Sequence, residues 1–275
     1  MLTGVRTPAT QAGPPVAAFF DLDKTIIARS STMAFSRPFF HQGLINRRAV
    51  LKSSYAHFLF LLAGADSDQM ERMRAHLTAL CTGWEVRQVR AIVEETLHDV
   101  VDPLVYAEAA ALIAEHTDQG HHVVVVSASG EEMVAPIAAM VGADLSVGTR
   151  MVEIDGLYTG EVEFYCYGEA KADAVRGLAE AHGYDLSRCY AYSDSVTDLP
   201  MLAEVGHPTA VTPDRAVRRE AVSRGWPVLT FSAPVSLRTR IPTASSSAVA
   251  TAAVGLGAAA AGATWYGLSR RRRNR

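Results

Sequence analysis

Short apolar runs, each ending at a polar residue, alternate along this 275-residue chain with segments of helical periodicity. The first run, Val16 to Phe20, is continuously apolar between Pro15 and Asp21, and a β-branched run follows at Val123 to Val126. Continuous apolar runs of this length are typical of strands buried on both faces of a sheet. Three later runs complete the series: RCYAYSD, HPTAV and WPVLTF. Strands that alternate with helices predict right-handed βαβ units, and therefore an α/β fold with a mainly parallel sheet.

A long helical stretch separates the first two predicted strands. Its segments are RRAVLKSSYAHFLFLLAG, SDQMERMRAHLTALCTG and EVRQVRAIVEETLHDVV, each closed by a glycine or followed by a proline. We therefore predict a helical domain at residues 36–104, inserted into a core formed by residues 16–35 and 105–232. The apolar part of the first segment, YAHFLFLLAG, favours the interior of a helical bundle over a lipid-facing surface. Later, two alternating runs around Asp155-Gly156 predict a β-hairpin.

Polar residues occupy the points at which three of the predicted strands end. Asp21 and Asp23 follow the first strand, Ser127 follows the second, and Asp194 follows a later one. Ligands of parallel α/β sheets bind outside the carboxyl ends of the strands, so we expect these side chains to meet at one edge. Asp21 and Asp23 project to the same side if the strand alternation persists past Phe20. Three carboxylates without His or Cys suit a hard cation that keeps several waters, and Mg²⁺ fits better than Zn²⁺.

Ser127 lies at a strand-to-helix turn that is typical of an anion site. Its hydroxyl group and the free backbone N–H groups at the start of the next helix are donors suited to a phosphate. The neighbouring Ser129 matches a capping box together with Glu132, and we expect it only to cap that helix. Acidic cation ligands, an anion-binding turn and a nearby lysine together indicate phosphoryl transfer.

Four short motifs occur in a fixed order along the predicted core. They are DLDKT, the hydroxyl-ended strand VVVVSAS, a lysine in the helix after the predicted hairpin, and SDSVTDLPM. Through these motifs residues 16–232 resemble the haloacid dehalogenase (HAD) superfamily, and most closely its phosphoserine-phosphatase-like subfamily IB. The resemblance implies a Rossmann-like three-layer core. It also implies that the helical insert, residues 36–104, is a C1-type cap that closes over the site and supplies substrate specificity.

The same resemblance implies a role for each residue of the strand ends. Asp21 would be the nucleophile that forms an aspartyl-phosphate, and Asp23 would act as general acid and then general base. Mg²⁺ would be held by Asp21, the backbone carbonyl of Asp23, and Asp194. Ser127 and Lys171 would bind the transferring phosphoryl group. The implied activity is Mg²⁺-dependent hydrolysis of a small-molecule or lipid-headgroup phosphomonoester.

Three further charged residues have competing interpretations. A helical lysine beside Glu169 and Asp173 is usually solvated, but Lys171 matches the motif and is one of only three lysines in the chain, which favours function. Asp198 could simply cap the helix that follows it, whereas the resemblance implies that its side chain lies near the water molecules bound to the metal. Lys24 occupies a freely varying position of the first motif, and we interpret it as a surface charge.

Two positions depart from the phosphoserine phosphatases that the chain resembles. Those enzymes carry Glu nine residues after the nucleophile, where this chain has Ser30, and favour Gly-Gly where it has Ala128-Ser129. A phosphoserine phosphatase of serine biosynthesis is therefore an alternative and not the main prediction. Two other functions stay open: a phosphotransferase that passes the phosphoryl group to an alcohol, and a non-enzymatic phospho-aspartate signalling module. The helical insert and the presence of Asp23 argue against the signalling module.

The composition narrows the possible partners and compartments. A net charge of −3 gives no general attraction to nucleic acid, so no nucleic-acid partner is expected. The three cysteines, Cys81, Cys166 and Cys189, are widely spaced without a CxxC pair, which indicates buried free thiols rather than disulfides or a zinc site. Residues 1–15 lack the apolar segment of a signal peptide and predict a disordered leader. The catalytic domain is therefore expected in the cytoplasm.

The C-terminal segment differs in composition from the rest of the chain. Residues 233–247 resemble a linker, residues 248–268 are uncharged and rich in Ala and Gly, and the chain ends in SRRRRNR. The uncharged stretch is long enough to span a bilayer, but a span would place the arginines outside, against the positive-inside tendency. A helix lying on the anionic inner face of the cell membrane is a second model, and a disordered solubilising tail is a third. The first two models attach the catalytic domain to the membrane through residues 248–275.

Overall fold

The computed structural model of the chain describes residues 13–45, 80–232 and 234, and these residues contain seven strands. The strands are β1 (Ala17–Phe20), β2 (His122–Gly130), β3 (Leu145–Ile154), β4 (Leu157–Phe164), β5 (Tyr190–Ser193), β6 (His207–Val211) and β7 (Val228–Leu229). They form one sheet in the order β4-β3-β2-β1-β5-β6-β7. Neighbouring strands are parallel except for β3 and β4, which pair antiparallel.

Eight α-helices connect or precede these strands within the described residues. They are α1 (Ser31–Ala34), α2 (Ser36–His41), α3 (Val86–Val101), α4 (Ala107–Asp118), α5 (Glu131–Val141), α6 (Glu169–His182), α7 (Leu199–Ala203) and α8 (Arg215–Arg224). Short 3₁₀ turns occupy Asp102–Leu104, Leu186–Arg188 and Val196–Asp198. The alternation of strands and helices after residue 105 is the one that the hydrophobic pattern predicts.

The sheet is covered by helices on both faces because successive residues of its central strands are apolar and point to opposite faces. Phe19 lies in a buried cluster with Val175 of α6, on one face of the sheet. Phe20 stacks on Tyr192, with ring centroids 4.5 Å apart, and meets the ring of His116 in α4 at 6.0 Å. Both phenylalanines are fully buried. The predicted Rossmann-like three-layer α/β core is thereby confirmed.

The register of the central strands sets the level at which they end. Phe20, the last residue of β1, pairs with Val125 of β2 and with Tyr192 of β5. The ladder continues one residue further, because the Asp21 N–H group donates to the Tyr192 carbonyl over 2.9 Å. Asp21 and Asp194 directly follow β1 and β5, and Ser127 lies within β2 just beyond Val125. These residues therefore lie at one edge of the sheet, as the pattern predicts.

The predicted hairpin is present between β3 and β4. Ile154 pairs with Leu157, and the two turn residues, Asp155 and Gly156, have φ angles of 53° and 81°. Positive φ at both central positions is the signature of a type I′ turn, for which Asp-Gly is a preferred sequence. The hairpin also contacts the insert, since the Val86 N–H group donates to the Gly156 carbonyl over 3.0 Å.

The two connections between the core and the insert lie side by side. The Ala28 N–H group donates to the Leu104 carbonyl over 2.8 Å, and the Tyr106 N–H group donates to the Ile26 carbonyl over 2.9 Å. The chain thus leaves and re-enters the core at adjacent points. Residues 46–79, which include YAHFLFLLAG, lie outside the described residues, so the cap at 36–104 and its bundle interior stay predictions.

The predictions for the two ends of the chain also fall mostly outside the described residues. This applies to most of the leader 1–15, to the linker 233–247 apart from Pro234, and to the whole of 248–275. Among the helices of the described ranges, none is both long and apolar enough to cross a membrane. The three cysteines are free thiols, and Cys166 and Cys189 are buried whereas Cys81 is only partly buried.

Candidate active site

The ammonium group of Lys171 lies between two carboxylates at the carboxyl edge of the sheet. Lys171 Nζ is 2.6 Å from Asp21 Oδ1 and 2.7 Å from Asp198 Oδ2, and all three side chains are buried. The hydroxyl group of Ser193 donates a further bond to Asp198 Oδ2 over 2.7 Å. The alternative of a solvated Lys171 is therefore wrong. Asp198 is the N-cap residue of α7 but makes no capping bond with its side chain, so capping does not explain this residue either.

Two local features bring Lys171 and Asp198 together. Lys171 lies in the first turn of α6, after Gly168, whose φ of 59° and ψ of −124° suit glycine alone. Asp198 ends a 3₁₀ turn that begins after Ser195, and the Ser195 hydroxyl accepts a bond from the Thr197 N–H group over 3.4 Å. Lys171 is thus presented by the first turn of a regular helix, and Asp198 by a short 3₁₀ turn.

The cluster holds more negative charge than its single lysine balances. Burial raises the pKa of Asp21 to about 8, and the Asp198 and Asp194 carboxylates add to the effect against the attraction of Lys171. Burial alone would lower the pKa of Lys171, but the two bound carboxylates outweigh it and raise that pKa. Lys171 therefore keeps its proton, and the excess charge lies on the acids. Burial likewise raises the pKa of Asp194 to about 6, although nearby Lys24 opposes the shift.

A divalent cation would offset this excess charge. Asp21 and Asp194 offer carboxylate oxygens and Asp23 a backbone carbonyl, and such hard oxygen donors fit Mg²⁺. Across the ranges that the structure describes, no three His, Cys, Asp or Glu side chains form a group that could hold a metal. A donor set of two carboxylates, one carbonyl and several waters does not require such a group. The residues present therefore fit the implied ion.

The carboxylate of Asp23 has partners of its own. Its Oδ1 accepts from the Ser31 backbone N–H group over 2.8 Å, and its Oδ2 accepts from the Ser129 hydroxyl over 3.3 Å. β1 ends at Phe20 and its hydrogen bonds continue to Asp21, so the strand alternation that would place Asp21 and Asp23 on one side does not extend to Asp23. Burial raises the pKa of Asp23, although the bonds from Ser31 and Ser129 oppose this. A raised pKa suits a carboxyl group that donates a proton.

The expectation that Ser129 caps a helix is wrong. β2 continues to Gly130, which is the N-cap residue of α5, and no side chain bonds to that helix end. The Ser129 hydroxyl instead lies 2.7 Å from the Ser31 hydroxyl and donates to Asp23. A register irregularity between Val126 and Gly130 accompanies this extended strand end. The sequence pattern of a capping box was present, but the strand extends too far for it to act.

Three hydroxyl groups of the site, those of Ser31, Ser129 and Ser193, were not identified as site residues from the sequence. Ser31 has no local signal, because its partners Asp23 and Ser129 belong to other elements. Ser193 had one available signal, since it is a hydroxyl residue at the last position of an apolar strand, directly before Asp194. A hydroxyl residue at the end of an apolar strand therefore indicates a site residue in the same way as a carboxylate does.

The remaining predicted residues occupy the same edge. Ser127 is buried near the end of β2, and its hydroxyl accepts from the Ser129 N–H group over 3.2 Å. Its binding of phosphate stays a prediction. Lys24 is exposed, as expected of a surface charge, and has a φ of 63°. Ser30 is partly buried and precedes α1 without a capping bond from its side chain.

Known proteins are similar to this chain in sequence and in fold. Residues 18–203 match the family of haloacid dehalogenase-like hydrolases. A probable phosphatase of Mycobacterium tuberculosis (strain H37Rv) is 65% identical over 96% of each chain. A phosphoserine phosphatase of the same organism is 35% identical over 82% of this chain and 76% of its own. A solved structure of a phosphoserine phosphatase carries an analogue of its phospho-aspartyl intermediate. It has a TM-score of 0.57 at 17% identity and covers 81% of this chain and 95% of its own. At this identity the similarity shows the fold alone.

Proposed function

The chain belongs to the haloacid dehalogenase-like hydrolases, and on this basis we propose that it is a Mg²⁺-dependent phosphomonoester hydrolase that forms an aspartyl-phosphate on Asp21. The observation that carries the proposal is the buried contact of Lys171 with Asp21 and Asp198 at the edge of the sheet. A nucleophile beside a fixed cation is the arrangement that phosphoryl transfer needs, because catalysis there consists mainly of positioning and charge stabilisation. The relatives named as phosphatases support the same reaction.

In the first half-reaction a carboxylate oxygen of Asp21 attacks phosphorus, and the bond from phosphorus to the alcohol oxygen breaks. Asp23 gives its proton to the departing alcohol. Lys171 and Ser127 bind the phosphoryl oxygens. Asp21, the Asp23 carbonyl and Asp194 would hold Mg²⁺, which would supply further charge neutralisation.

In the second half-reaction a water molecule attacks the aspartyl-phosphate. Asp23, now ionised, takes the proton of that water, and the bond between phosphorus and Asp21 breaks. Inorganic phosphate leaves, and the Asp21 carboxylate and the protonated Asp23 are restored. Asp198 bonds to Lys171 through Oδ2, whereas its Oδ1 accepts a long bond of 3.5 Å from the Thr197 hydroxyl group. The predicted place of Asp198 near the water molecules of the metal would use Oδ1.

The proposed substrate is a small-molecule or lipid-headgroup phosphate. The relative named as a phosphoserine phosphatase supports phosphoserine as the alternative, whereas Ser30 opposes it, because a serine cannot neutralise a substrate ammonium group. A signalling module is less well supported, since the burial-raised pKa of Asp23 suits an acid and base that shortens the life of an acyl-phosphate. Attachment to an anionic membrane surface through residues 248–275 stays a separate prediction.

A phosphatase screen of the full chain tests the proposal. Phosphate release is measured from phosphoamino acids, sugar phosphates and lysophospholipid phosphates, with Mg²⁺ or with a chelator. We expect turnover that requires Mg²⁺ and is abolished in Asp21→Asn. Asp155→Asn is the matched control, because Asp155 lies exposed in the hairpin turn and asparagine tolerates its positive φ. No hydrolysis of any phosphomonoester, or full activity in Asp21→Asn, would refute the proposal. A stable phosphoprotein without turnover would favour the signalling module.

A further inference from the structure

Ser31 and Ser129 hold the Asp23 carboxyl group by both of its oxygens. The Ser31 N–H group bonds to Oδ1 over 2.8 Å, and the Ser129 hydroxyl bonds to Oδ2 over 3.3 Å. The two serine hydroxyls lie 2.7 Å apart. Ser31 is fully buried and Ser129 is 7% exposed, so bulk water does not compete for these bonds. Each carboxyl oxygen therefore has one fixed partner.

The direction of this chain of hydrogen bonds follows from counting protons. A serine hydroxyl carries one proton and can donate one bond. Because Ser129 donates its proton to Asp23, the proton between the two hydroxyls must come from Ser31. Ser31 thus contacts Oδ1 directly through its backbone and Oδ2 through Ser129. Rotation of the carboxyl group about its Cβ–Cγ bond would lengthen at least one of these bonds, so the plane of the group is fixed.

The three residues belong to separate parts of the site. Ser31 begins α1, where the chain leaves the core for the insert, and Ser129 lies at the end of β2. The Ser129 N–H group also donates to the Ser127 hydroxyl over 3.2 Å. The orientation of Asp23 is therefore tied to the strand end that carries the predicted phosphate ligand Ser127. A general acid acts only within hydrogen-bond reach of the atom it protonates, so this orientation bears on the rate.

We propose that Ser129, itself oriented by Ser31, is a positioning residue that aims the Asp23 carboxyl group at the oxygen of the leaving alcohol. The inference rests on the proposed phosphatase function. Its consequence is specific: loss of the Ser129 hydroxyl should slow only those reactions in which the leaving group needs a proton.

The test compares two leaving groups in the full chain with Mg²⁺. One is the alkyl phosphomonoester that the wild-type protein hydrolyses best, and the other is p-nitrophenyl phosphate, whose phenolate leaves without protonation. The value of kcat/KM covers the steps up to departure of the alcohol. For Ser129→Ala we expect kcat/KM to fall about 10- to 100-fold with the alkyl substrate, at the lower end of general acid effects, and less than about threefold with the nitrophenyl substrate.

Three further variants separate positioning from packing. Ser31→Ala keeps the backbone N–H group and should show the same selectivity with a smaller loss. Ser129→Thr keeps a hydroxyl group and should restore part of the alkyl activity. Ser223→Ala is the control, because Ser223 is exposed and its hydroxyl group donates to the Glu220 carbonyl of its own helix, α8. It should leave both substrates unaffected.

The outcomes distinguish this inference from the proposed function. A wild-type protein inactive on both substrates refutes the phosphatase function and the inference with it. In a second outcome the wild-type protein is active, while Ser129→Ala and Ser31→Ala lose activity equally on the two substrates, or lose none. That result overturns the inference and leaves the phosphatase function standing. If Ser129→Ala does not fold, the ratio of the two kcat/KM values in Ser31→Ala decides the matter, since that variant retains the Ser129 hydroxyl and the backbone bond.

Discussion

Replacing Lys171 with methionine removes the only cation in contact with Asp21 and Asp198 among the described residues. Methionine keeps a long unbranched side chain, so the change removes charge with little change in shape. Lys171 is 2% exposed and its two carboxylate partners are 5% and 1% exposed, so water cannot replace the ammonium group without rearrangement. Two buried carboxylates would remain facing each other without compensation.

The expected loss follows from the geometry of the cluster. At the Nζ–O distances of 2.6 and 2.7 Å, each attraction is about 6 kcal/mol at an effective dielectric constant of about 20. The cost of burying the three charges offsets most of this gain, but that cost remains for the carboxylates when the lysine is removed. Breaking a buried pair in this way lowers the free energy of unfolding by about 3–5 kcal/mol. We expect a loss in that range for Lys171→Met measured without metal.

The assay is urea denaturation in a chelator at a pH above the Asp21 pKa of about 8, where that carboxyl group is ionised, combined with hydrolysis of p-nitrophenyl phosphate in Mg²⁺. Lys171→Met should be both destabilised and inactive. The double variant Lys171→Met/Asp198→Asn removes one of the two unbalanced charges, so it should regain part of the stability without regaining activity. Arg218→Met is the control, since Arg218 is exposed in α8 and a surface change of this kind shifts stability by less than about 0.5 kcal/mol.

Two results would refute the reasoning. If Lys171→Met is as stable as the wild-type protein in the chelator, the lysine does not balance the carboxylates. If the double variant is no more stable than the single variant, the loss comes from packing and not from charge. In either case the inference that the site holds more negative charge than Lys171 balances would be wrong.

Two further predictions concern the metal-free site and the packing of a turn. The pKa values of Asp21 and Asp194, about 8 and about 6, lie above the ordinary value of 3.8, so the folded protein binds more protons than the unfolded chain in this range. Thermal unfolding in a chelator should therefore show stability falling as the pH rises from about 4 to about 8, and Mg²⁺ should reduce the slope; a flat metal-free profile would contradict the shifts. Gly206→Ala should destabilise the fold by about 1–3 kcal/mol, because a Cβ atom there would lie 1.7 Å from the Ser187 carbonyl oxygen. Its control is Gly177→Ala in α6, where no atom lies within 4 Å of the added Cβ and the helix should gain about 0.5–1 kcal/mol.

The core and the acidic part of the site were predictable because both follow from local patterns. Continuous apolar runs identified β1 and β2 as buried strands, and the shared end of parallel strands then placed Asp21, Ser127 and Asp194 at one edge. Asp155-Gly156 identified the hairpin because few sequences accept two positive φ angles in succession. In each case the physical constraint acts on residues that are close in sequence or on a rule common to all parallel sheets.

The hydroxyl groups of the site were not predictable for the opposite reason. The bond between Ser31 and Ser129 joins residues 98 positions apart, and nothing near either residue indicates the other. Ser129 was misread because a capping box is a local pattern, whereas the length of β2 is decided by its pairing with β3. The partners of Lys171 are likewise set by the tertiary structure. Glu169 and Asp173 are its acidic neighbours in sequence, but the carboxylates that it contacts belong to Asp21 and Asp198.

The two departures from the phosphoserine phosphatase pattern consequently differ in meaning. Ser129 directs its hydroxyl to Asp23, so its presence in place of glycine concerns the acid and not the substrate. Ser30 has no side-chain capping bond and is partly buried directly before α1, next in the chain to Ser31, whose N–H group bonds to Asp23. A neutral hydroxyl group can accept a hydrogen bond from a substrate ammonium group, but it cannot neutralise the charge of that group as a carboxylate would. Discrimination in favour of an amino-bearing substrate should therefore be weaker than a glutamate would provide, which favours an uncharged alcohol as the leaving group.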